Sequence, residues 1–265
     1  MQHSALLNVM MKAARKAARG LIRDFGEVEK LQVSVKGPAN FVTAADRKAE
    51  QVLRDELMTA RPGYCFVGEE GGRIEGPDKT HTWYVDPLDG TTNFLHGIPQ
   101  FAISIGLERE GTMIAGLVYN PVSDEMFLAE RGKGAFLNDQ RMRVAGRRSM
   151  ADAVVACGLP HRGRGDLALF RTEFMAVQEQ VAGLRRFGSA ALDLAFLAAG
   201  RYDLYWERNL SSWDMAAGIL LVREAGGYAT DCDGQDAMFA KGHIAAGNET
   251  LQKELLKLLK NPGAA

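Results

Sequence analysis

Two aspartates at the end of a short apolar run are the residues of this sequence best suited to metal chemistry. Asp86 and Asp89 lie three positions apart, with Pro87 and Leu88 between them and Gly90 directly after. Pro87 and Gly90 predict that a strand stops and turns here, since proline lacks an N–H and glycine adopts turn conformations easily. The turn would hold two carboxylates and the Leu88 carbonyl together, and such hard oxygen ligands suit a divalent cation. A surface turn rich in Asp, Pro and Gly is the competing interpretation.

The residues that follow are suited to holding an anion. Thr91 and Thr92 stand where a helix can begin. At a helix start the backbone N–H groups, here those of Gly90, Thr91 and Thr92, have no partner within the helix and can point at a phosphate. Metal and phosphate would then meet. The alternative is that Thr91 only caps a helix.

Two further acidic positions strengthen the metal hypothesis. Glu69 and Glu70 follow a short apolar run and precede two glycines, which places them at the end of a predicted strand. Asp214 falls in the first turn of a predicted helix that Ser211 or Ser212 caps. Each site also has an ordinary structural explanation: the glutamates can be solvated charges, and Asp214 can complement the helix dipole.

In combination these motifs resemble those of the inositol monophosphatase family, the magnesium-dependent and lithium-sensitive phosphatases. The first family signature is similar to residues 86–94, and the second is similar to residues 213–218 together with 224–227. Residues 40–46, 68–70 and 186–194 are also similar to family segments, in family order. The resemblance covers nearly the whole chain, and the bacterial members look most similar.

The resemblance implies two Mg2+ sites. Glu69, Asp86 and the Leu88 carbonyl would hold the first ion, and Asp86, Asp89 and Asp214 would hold the second. Asp86 would bridge the two. The residue types alone also favour Mg2+ over zinc, because the motifs lack the His and Cys ligands that zinc prefers.

Asp46, Thr91 and Glu69 are the predicted catalytic residues. The resemblance implies that Thr91 donates a hydrogen bond to Asp46, and that this pair orients and deprotonates the attacking water. Asp46 would also lie in the outer shell of a third, weakly held Mg2+. A phosphate monoester needs such help because its own negative charge repels nucleophiles.

The alcohol half of the substrate needs different contacts. Glu207 matches the family position that hydrogen-bonds the inositol ring, and residues 188–190 match a segment that lines the same pocket. Glu207 can instead be a surface charge, and Gly-Ser-Ala before an apolar run is a common helix start. The full predicted substrate-binding set is Gly90, Thr91, Thr92, Gly188, Ser189, Ala190, Glu207 and Asp214.

The elements that must position these residues mix strands and helices. Helices are predicted near 4–25, 46–60, 166–181, 190–199, 213–225 and 249–260, and strands near 64–67, 82–86, 101–109, 113–120, 125–129, 153–157, 203–207 and 244–246. The third and fourth of these strands should form an antiparallel hairpin. The pattern predicts an α+β fold of stacked layers, and the resemblance implies the α/β/α/β/α sandwich of the inositol monophosphatase and fructose-1,6-bisphosphatase type.

Composition and charge agree with one soluble enzyme. The 265 residues are 46% hydrophobic and contain no linker or repeat, so they can form one large domain or two closely packed halves. The resemblance implies a single phosphatase domain over residues 1–265. The 32 basic and 33 acidic residues give a net charge of -1, which does not indicate binding to nucleic acid. No apolar run approaches the roughly 20 residues that span a bilayer, so no membrane partner is expected.

Cysteine usage and the N-terminus bear on location. Cys65, Cys157 and Cys232 are an odd number with no close pair, which argues against disulfides and predicts a cytoplasmic protein. Residues 4–23 lack acids and are rich in Ala, Lys and Arg, as transit peptides are. Apolar residues nevertheless recur there at helical spacing, which favours an integral first helix.

The sequence allows several alternatives for the substrate and for the role of the protein. Asn40 stands where relatives often have Asp, and residues 158–162 occupy the variable segment that helps choose the alcohol. The alternative main substrates are histidinol phosphate, fructose 1,6-bisphosphate or a 3′-phosphorylated nucleotide, and the alternative of another class is a non-catalytic partner-binding protein. Glu207 favours a phosphorylated polyol or sugar. The resemblance also implies a homodimer, for which the two hydrophobic middle strands with Arg185 and Arg186 are the candidate region.

Overall fold

A computed structural model describes residues 3–27, 33–37, 40–160 and 165–262, with side chains for all of these except 33–37 and 40–43. The helices are α1 (Ala5–Phe25), α2 (Ala44–Ala60), α3 (Thr91–Leu95), α4 (Leu167–Gln178), α5 (Ala190–Ala198), α6 (Ser212–Glu224), α7 (Met238–Lys241) and α8 (Glu249–Lys260). The strands are β1 (Val33–Gly37), β2 (Asn40–Thr43), β3 (Tyr64–Gly68), β4 (Gly72–Ile74), β5 (Asp78–Asp89), β6 (Ala102–Arg109), β7 (Thr112–Asn120), β8 (Glu125–Glu130), β9 (Gly134–Leu137), β10 (Gln140–Arg141), β11 (Val154–Cys157), β12 (Gly183–Arg185), β13 (Leu204–Arg208), β14 (Tyr228–Thr230) and β15 (His243–Gly247). The Asn40 side chain and residues 161–162, which the sequence singled out, lie outside the described part.

Most of these strands form two large sheets. One has eight strands in the order β10-β9-β8-β7-β6-β5-β3-β4, and the other has five in the order β12-β11-β13-β15-β14. β1 and β2 pair separately as an antiparallel hairpin. The predicted middle hairpin is confirmed, because β6 and β7 are antiparallel neighbours and most of their residues are buried.

Helices and sheets alternate in layers. Helices α1 and α2 cover one face of the eight-stranded sheet, and α5 and α6 lie between the two sheets. Helices α4 and α8 cover the outer face of the five-stranded sheet. The predicted α/β/α/β/α sandwich and its α+β class are therefore confirmed.

The first helix belongs to the core, as the sequence predicted. Ser4 caps α1 by accepting a hydrogen bond from the Leu7 N–H at 3.2 Å. The buried residues recur every three or four positions along one side of the helix: Leu7, Met10, Ala13, Ala14, Ala17, Ala18 and Leu21. This apolar stripe packs against α2 and the eight-stranded sheet.

Helix α6, which carries Asp214, lies unusually close to the sheet. Gly106 of β6 and Gly116 of β7 are direct partners across the ladder. A Cβ atom at Gly106 would lie 2.6 Å from the Ala216 Cβ, and one at Gly116 would lie 2.8 Å from the Ala217 carbonyl oxygen. The two glycines therefore allow the helix to rest on the sheet backbone, and this contact sets the position of Asp214.

Two sequence predictions are wrong in detail. The strand does not stop at Pro87: β5 continues to Asp89, and its pairing with β6 becomes irregular between Asp86 and Asp89. Such an irregularity tolerates proline, because no regular ladder hydrogen bond is lost there.

The middle strands β6 and β7 are buried between helix layers and cannot supply a dimer surface, whereas Arg185 and Arg186 are exposed.

Within the described ranges, no helix is long and apolar enough to cross a membrane. Cys65, Cys157 and Cys232 are all buried and carry free thiols.

Candidate active site

The predicted acidic residues meet at one edge of the eight-stranded sheet. Strands β3 and β5 are parallel, with Gly68 opposite Val85, so their carboxyl ends lie side by side. Glu69 follows directly after β3, and its N–H donates to the Val85 carbonyl at 3.3 Å. Asp86, the next residue of β5, is therefore a neighbour of Glu69.

The turn that carries Glu69 is hydrogen-bonded to a side chain of α2. The buried carboxylate of Glu50 accepts hydrogen bonds from the Glu70 N–H at 2.7 Å and from the Gly71 N–H at 2.6 Å. Burial raises the pKa of Glu50, although these two hydrogen bonds partly oppose the shift. The sequence analysis missed Glu50, whose role is to fix the Glu69 turn.

Asp86 and Asp89 are held in place by local hydrogen bonds. Asp86 is only 2% exposed, and its Oδ1 accepts from the Leu88 N–H at 2.9 Å. Asp89 Oδ2 accepts from the Ser189 hydroxyl at 2.6 Å and from the Ala191 N–H at 2.7 Å. Asp89 therefore ties the end of β5 to the start of α5.

Asp214 approaches the same place from α6. It is the third residue of the helix, and its Oδ2 accepts from the Ser211 N–H at 2.7 Å in a capping box. The sequence predicted Asp214 in the first turn and Ser211 or Ser212 as the cap, and the capping box shows that Ser211 is the cap and that Asp214 takes part as well.

The acidic cluster is electrostatically unfavourable in the absence of a cation. Burial raises the pKa of Asp86 well above its ordinary value, and the negative charges of Glu69, Asp89 and Asp214 raise it further. Burial and the charge of Asp89 do the same to the pKa of Asp214. Burial also raises the pKa of Asp89, against the opposing hydrogen bond from Ser189.

This donor set fits a hard divalent cation. Such a cation prefers oxygen ligands, and its positive charge would offset the repulsion among the carboxylates. The carboxylates are neighbours without forming a finished coordination sphere. No group of three or more His, Cys, Asp or Glu side chains in the described ranges is arranged as a metal site. The chemistry of the donors, and not a coordination geometry, makes this cluster a candidate site for a divalent cation.

Gly90 and Thr91 form a turn beside the acids. Gly90 has φ 93° and precedes α3, and a Cβ there would meet the Gln100 carbonyl oxygen at 2.9 Å, so both conformation and space require glycine. The Thr91 hydroxyl lies 3.2 Å from Asp46 Oδ1 and 3.1 Å from the Leu88 carbonyl oxygen. Since a hydroxyl has one proton, it donates to one of these acceptors at a time. Asp46 is fully buried in the first turn of α2.

A single cavity of about 150 Å3 joins the two halves of the predicted site. Two predicted residues do not line it, Asp46 and Ser189, and they reach it through hydrogen bonds to Thr91 and Asp89. The predicted residues that do line the cavity are Glu69, Asp86, Leu88, Asp89, Gly90, Thr91, Thr92, Gly188, Ala190, Glu207 and Asp214.

Glu207 lines the cavity from β13 of the five-stranded sheet, whereas Asp86 and Asp89 line it from β5 of the eight-stranded sheet. The Tyr205 hydroxyl donates to Glu207 Oε2 at 2.5 Å. Residues two apart in a strand share a face, which explains why Tyr205 and Glu207 meet. Glu207 is therefore a fixed carboxylate in the cavity wall. The alternative interpretation, that Glu207 is a solvated surface charge, is wrong.

Three other residues of this wall were not among the predicted site residues, although Gly158 belongs to the variable segment 158–162 that the sequence analysis connected with the choice of alcohol. Gly158, which follows β11, lies against Glu207, and Arg186 is an exposed cation that also lines the cavity. Asp193 lines it from α5, and burial together with the charge of Glu207 raises its pKa well above the ordinary value. Arg186 and Asp193 fall inside the segment that resembled the family, so they could have been considered. Gly158 lay in a segment that the sequence analysis named, but its contact with Glu207 depends on strand register and could not be predicted.

Comparison with known proteins agrees with this geometry. The model of the inositol monophosphatase family matches residues 2–263. An inositol-1-monophosphatase of Mesorhizobium japonicum is 58% identical over 265 residues, which is 100% of both chains. A protein of Pseudomonas aeruginosa named Nus factor SuhB is 44% identical over 96% of both chains. The solved structure of extragenic suppressor protein suhB from Bartonella henselae superposes with a TM-score of 0.93 at 56% identity, over 97% of this chain and 99% of that one.

Proposed function

The chain belongs to the inositol monophosphatase family, and on that premise we propose that it hydrolyses phosphate monoesters of inositol and related polyols or sugars in a Mg2+-dependent reaction. The observation that carries the proposal is the cavity itself. It brings the acidic cluster, the Gly90–Thr92 turn and the carboxylate of Glu207 to one space of about 150 Å3.

The metal ligands in this proposal are Glu69, Asp86, Asp89, Asp214 and the Leu88 carbonyl. Two to three Mg2+ ions per site follow from the family. When bound, Mg2+ would lower the pKa of water, neutralise phosphate charge and stabilise the departing oxygen. The chain contributes buried carboxylates whose own repulsion makes the cation favourable.

Thr91 and Asp46 orient and deprotonate the attacking water in this mechanism. The Thr91 hydroxyl donates a hydrogen bond to Asp46 Oδ1, and its oxygen can still accept a hydrogen bond from the attacking water. Asp46 is the base toward which the proton moves, through Thr91. Because Asp46 is fully buried, bulk water does not compete for its carboxylate. Glu69 would serve the same step as a ligand of the Mg2+ that lowers the pKa of water.

The substrate is oriented by the two walls of the cavity. The backbone N–H groups of Gly90, Thr91 and Thr92, together with the Thr92 hydroxyl, donate to the phosphate, since the Thr91 hydroxyl proton is directed at Asp46. Glu207 accepts hydrogen bonds from the hydroxyls of the alcohol. Gly188 and Ala190 line the same cavity, and Ser189 acts through its hydrogen bond to Asp89.

Other substrates and another role are the alternatives. Histidinol phosphate, fructose 1,6-bisphosphate or a 3′-phosphorylated nucleotide would use the same acids with a different alcohol wall. A non-catalytic, partner-binding role is the alternative of a different class, and the relatives named Nus factor SuhB are the observation in its favour. Two observations favour the enzyme: the 58% identity to an inositol-1-monophosphatase and the presence of every proposed acidic ligand.

A phosphatase screen tests the proposal. Phosphate release is measured from inositol-1-phosphate, glycerol-2-phosphate, histidinol phosphate, fructose 1,6-bisphosphate and a 3′,5′-nucleotide, each with Mg2+ and with chelator. The proposal expects the highest catalytic efficiency on inositol-1-phosphate or another polyol phosphate, with loss of turnover in chelator. Turnover of none of these esters in Mg2+ would favour the partner-binding role.

A cytoplasmic homodimer completes the proposal. The three free, buried thiols support a reducing compartment. The exposed segment of Arg185, Arg186 and Phe187 is the remaining candidate for the dimer surface. Sedimentation at micromolar concentration should give twice the chain mass of 28.9 kDa, and the single-chain mass would refute the dimer.

A further inference from the structure

The carboxylate of Glu207 is in contact with Gly158 and Tyr205, neither of which belongs to the predicted substrate-binding set. Strands β11 and β13 are parallel, with Cys157 opposite Trp206, and the Gly158 N–H donates to the Trp206 carbonyl at 3.2 Å. Gly158 therefore lies beside Glu207, at the edge where both strands end.

Gly158 leaves the space that the carboxylate occupies. A Cβ atom on Gly158 would lie 1.8 Å from Glu207 Cδ and 2.1 and 2.2 Å from its two oxygens. These distances are far below van der Waals contact, so any larger residue must displace the carboxylate. Gly158 is not among the residues with positive φ, so its backbone does not itself require glycine. The requirement for glycine at 158 comes from the Glu207 side chain.

Tyr205 fixes the carboxylate from a second direction. Its ring is fully buried, and its hydroxyl donates to Glu207 Oε2 at 2.5 Å. Burial and the charge of Glu207 raise the pKa of the Tyr205 hydroxyl, so it remains a protonated donor at neutral pH. The carboxylate is thus limited by a backbone contact on one side and by a hydrogen bond on the other.

We propose that Gly158 and Tyr205 are positioning residues that hold the Glu207 carboxylate in the orientation that selects hydroxyl-rich alcohols. This inference rests on the proposed function, in which Glu207 accepts hydrogen bonds from the substrate alcohol. A carboxylate that is already fixed loses little conformational entropy when it binds a hydroxyl, so the two contacts increase selectivity without touching the phosphate chemistry. The ligand class that such a wall favours is a ring alcohol with several free hydroxyls.

The substitution Gly158→Ala separates positioning from folding. The nearest atoms that a new methyl group would meet belong to the end of the Glu207 side chain and not to the backbone, so displacement of that carboxylate relieves the clash without moving the fold. We therefore expect a melting temperature within about 3 °C of wild type. Gly146→Ala is the matched control, because no atom lies within 4 Å of a Cβ at that glycine and its φ is not positive.

The readout is the ratio of kcat/KM for inositol-1-phosphate to kcat/KM for phenyl phosphate, an ester whose alcohol has no further hydroxyl. In Gly158→Ala this ratio should fall at least about tenfold, mainly through a higher KM for inositol-1-phosphate, since small misplacements of a binding group are costly. Tyr205→Phe, which removes the donor and keeps the ring, should lower the ratio in the same direction. Gly146→Ala should leave the ratio as in wild type.

Combination with Glu207→Gln shows whether the effect passes through that carboxylate. Gly158→Ala added to Glu207→Gln should change the ratio by less than about twofold, because a positioning residue has nothing left to position. A folded Gly158→Ala protein with the wild-type ratio would overturn the inference, as would an undiminished effect of Gly158→Ala in the Glu207→Gln background. If Gly158→Ala does not fold, an unchanged ratio in Tyr205→Phe overturns it instead. A wild-type protein that hydrolyses neither ester would refute the proposed function itself, which is a separate outcome.

Discussion

The Ser189 hydroxyl donates a hydrogen bond to Asp89 Oδ2 at 2.6 Å, and this contact joins residues that are 100 positions apart. The same hydroxyl oxygen accepts from the Leu192 N–H at 3.3 Å and so caps α5. Asp89 belongs to the acidic cluster on β5, whereas α5 begins the segment that lines the alcohol side of the cavity. One hydroxyl therefore connects the acidic cluster to the first turn of α5.

Substitution of Ser189 by Ala should weaken both the fold and metal binding. Loss of a helix cap typically costs about 1 kcal/mol, and Asp89 would also lose one of its fixed donors. We expect a melting temperature lower by about 2–4 °C and weaker Mg2+ binding in a thermal titration. Ser4→Ala is the matched control, because Ser4 caps α1 without contact to the acids. Equal Mg2+ affinity in the two variants would show that Ser189 serves only the helix.

Stabilisation by Mg2+ should depend on pH. Folding raises the pKa of Asp86 and Asp214, so each contributes stability only while it is protonated, and this contribution is lost as the pH rises through the raised pKa. Above the ordinary carboxyl range near about 4, the metal-free protein therefore carries a growing penalty that Mg2+ relieves. Melting temperatures measured with and without Mg2+ should differ more at about pH 7.5 than at about pH 5.5. A Mg2+ effect that is constant over this range would contradict the assignment.

Lithium should inhibit the enzyme in the millimolar range, as the family resemblance implies. Li+ can replace a weakly held Mg2+ without matching its double charge, so phosphate neutralisation is lost. Initial rates on inositol-1-phosphate at limiting Mg2+, with sodium chloride as the ionic-strength control, measure this effect. Full activity in lithium would place the protein outside the sensitive members of the family.

Glu207→Gln should damage recognition of the alcohol more than the chemistry. One hydrogen bond to a charged group is worth about 1.5–3 kcal/mol, which corresponds to about a 10- to 150-fold lower catalytic efficiency on inositol-1-phosphate. Phenyl phosphate should be affected much less, and dependence on Mg2+ should persist. Equal losses on both esters would mean that Glu207 serves the metal site or the fold.

Much of the fold could be read from the sequence because its elements carry strong local signals. The apolar stripe of α1 and the apolar runs of β6 and β7 predicted those elements almost to their ends. The short strands β9, β10 and β12 were not predicted, since two to four residues carry too little periodicity. Pro87 was misleading because the irregular pairing that accommodates it is a tertiary feature.

The candidate site divides in the same way. Asp86, Asp89 and Gly90 share one motif, so sequence alone brings them together. The support of Glu69 by Glu50 and the enclosure of Glu207 by Gly158 arise where separate elements meet, and no local pattern reports them. Helix packing and strand register supply that part of the site.

The substitution Asp89→Asn tests the central claim most directly. Asp89 is a proposed metal ligand, so replacing its carboxylate with an amide should weaken metal binding and charge neutralisation together. Phosphate release from inositol-1-phosphate is measured across a Mg2+ titration for wild type, Asp89→Asn and the exposed control Asp152→Asn. We predict Mg2+-dependent turnover in wild type and in the control, and at least a 100-fold loss in Asp89→Asn, equivalent to about 2.7 kcal/mol. Undiminished turnover by metal-stripped wild type, or by Asp89→Asn, would contradict the metal-dependent phosphatase site.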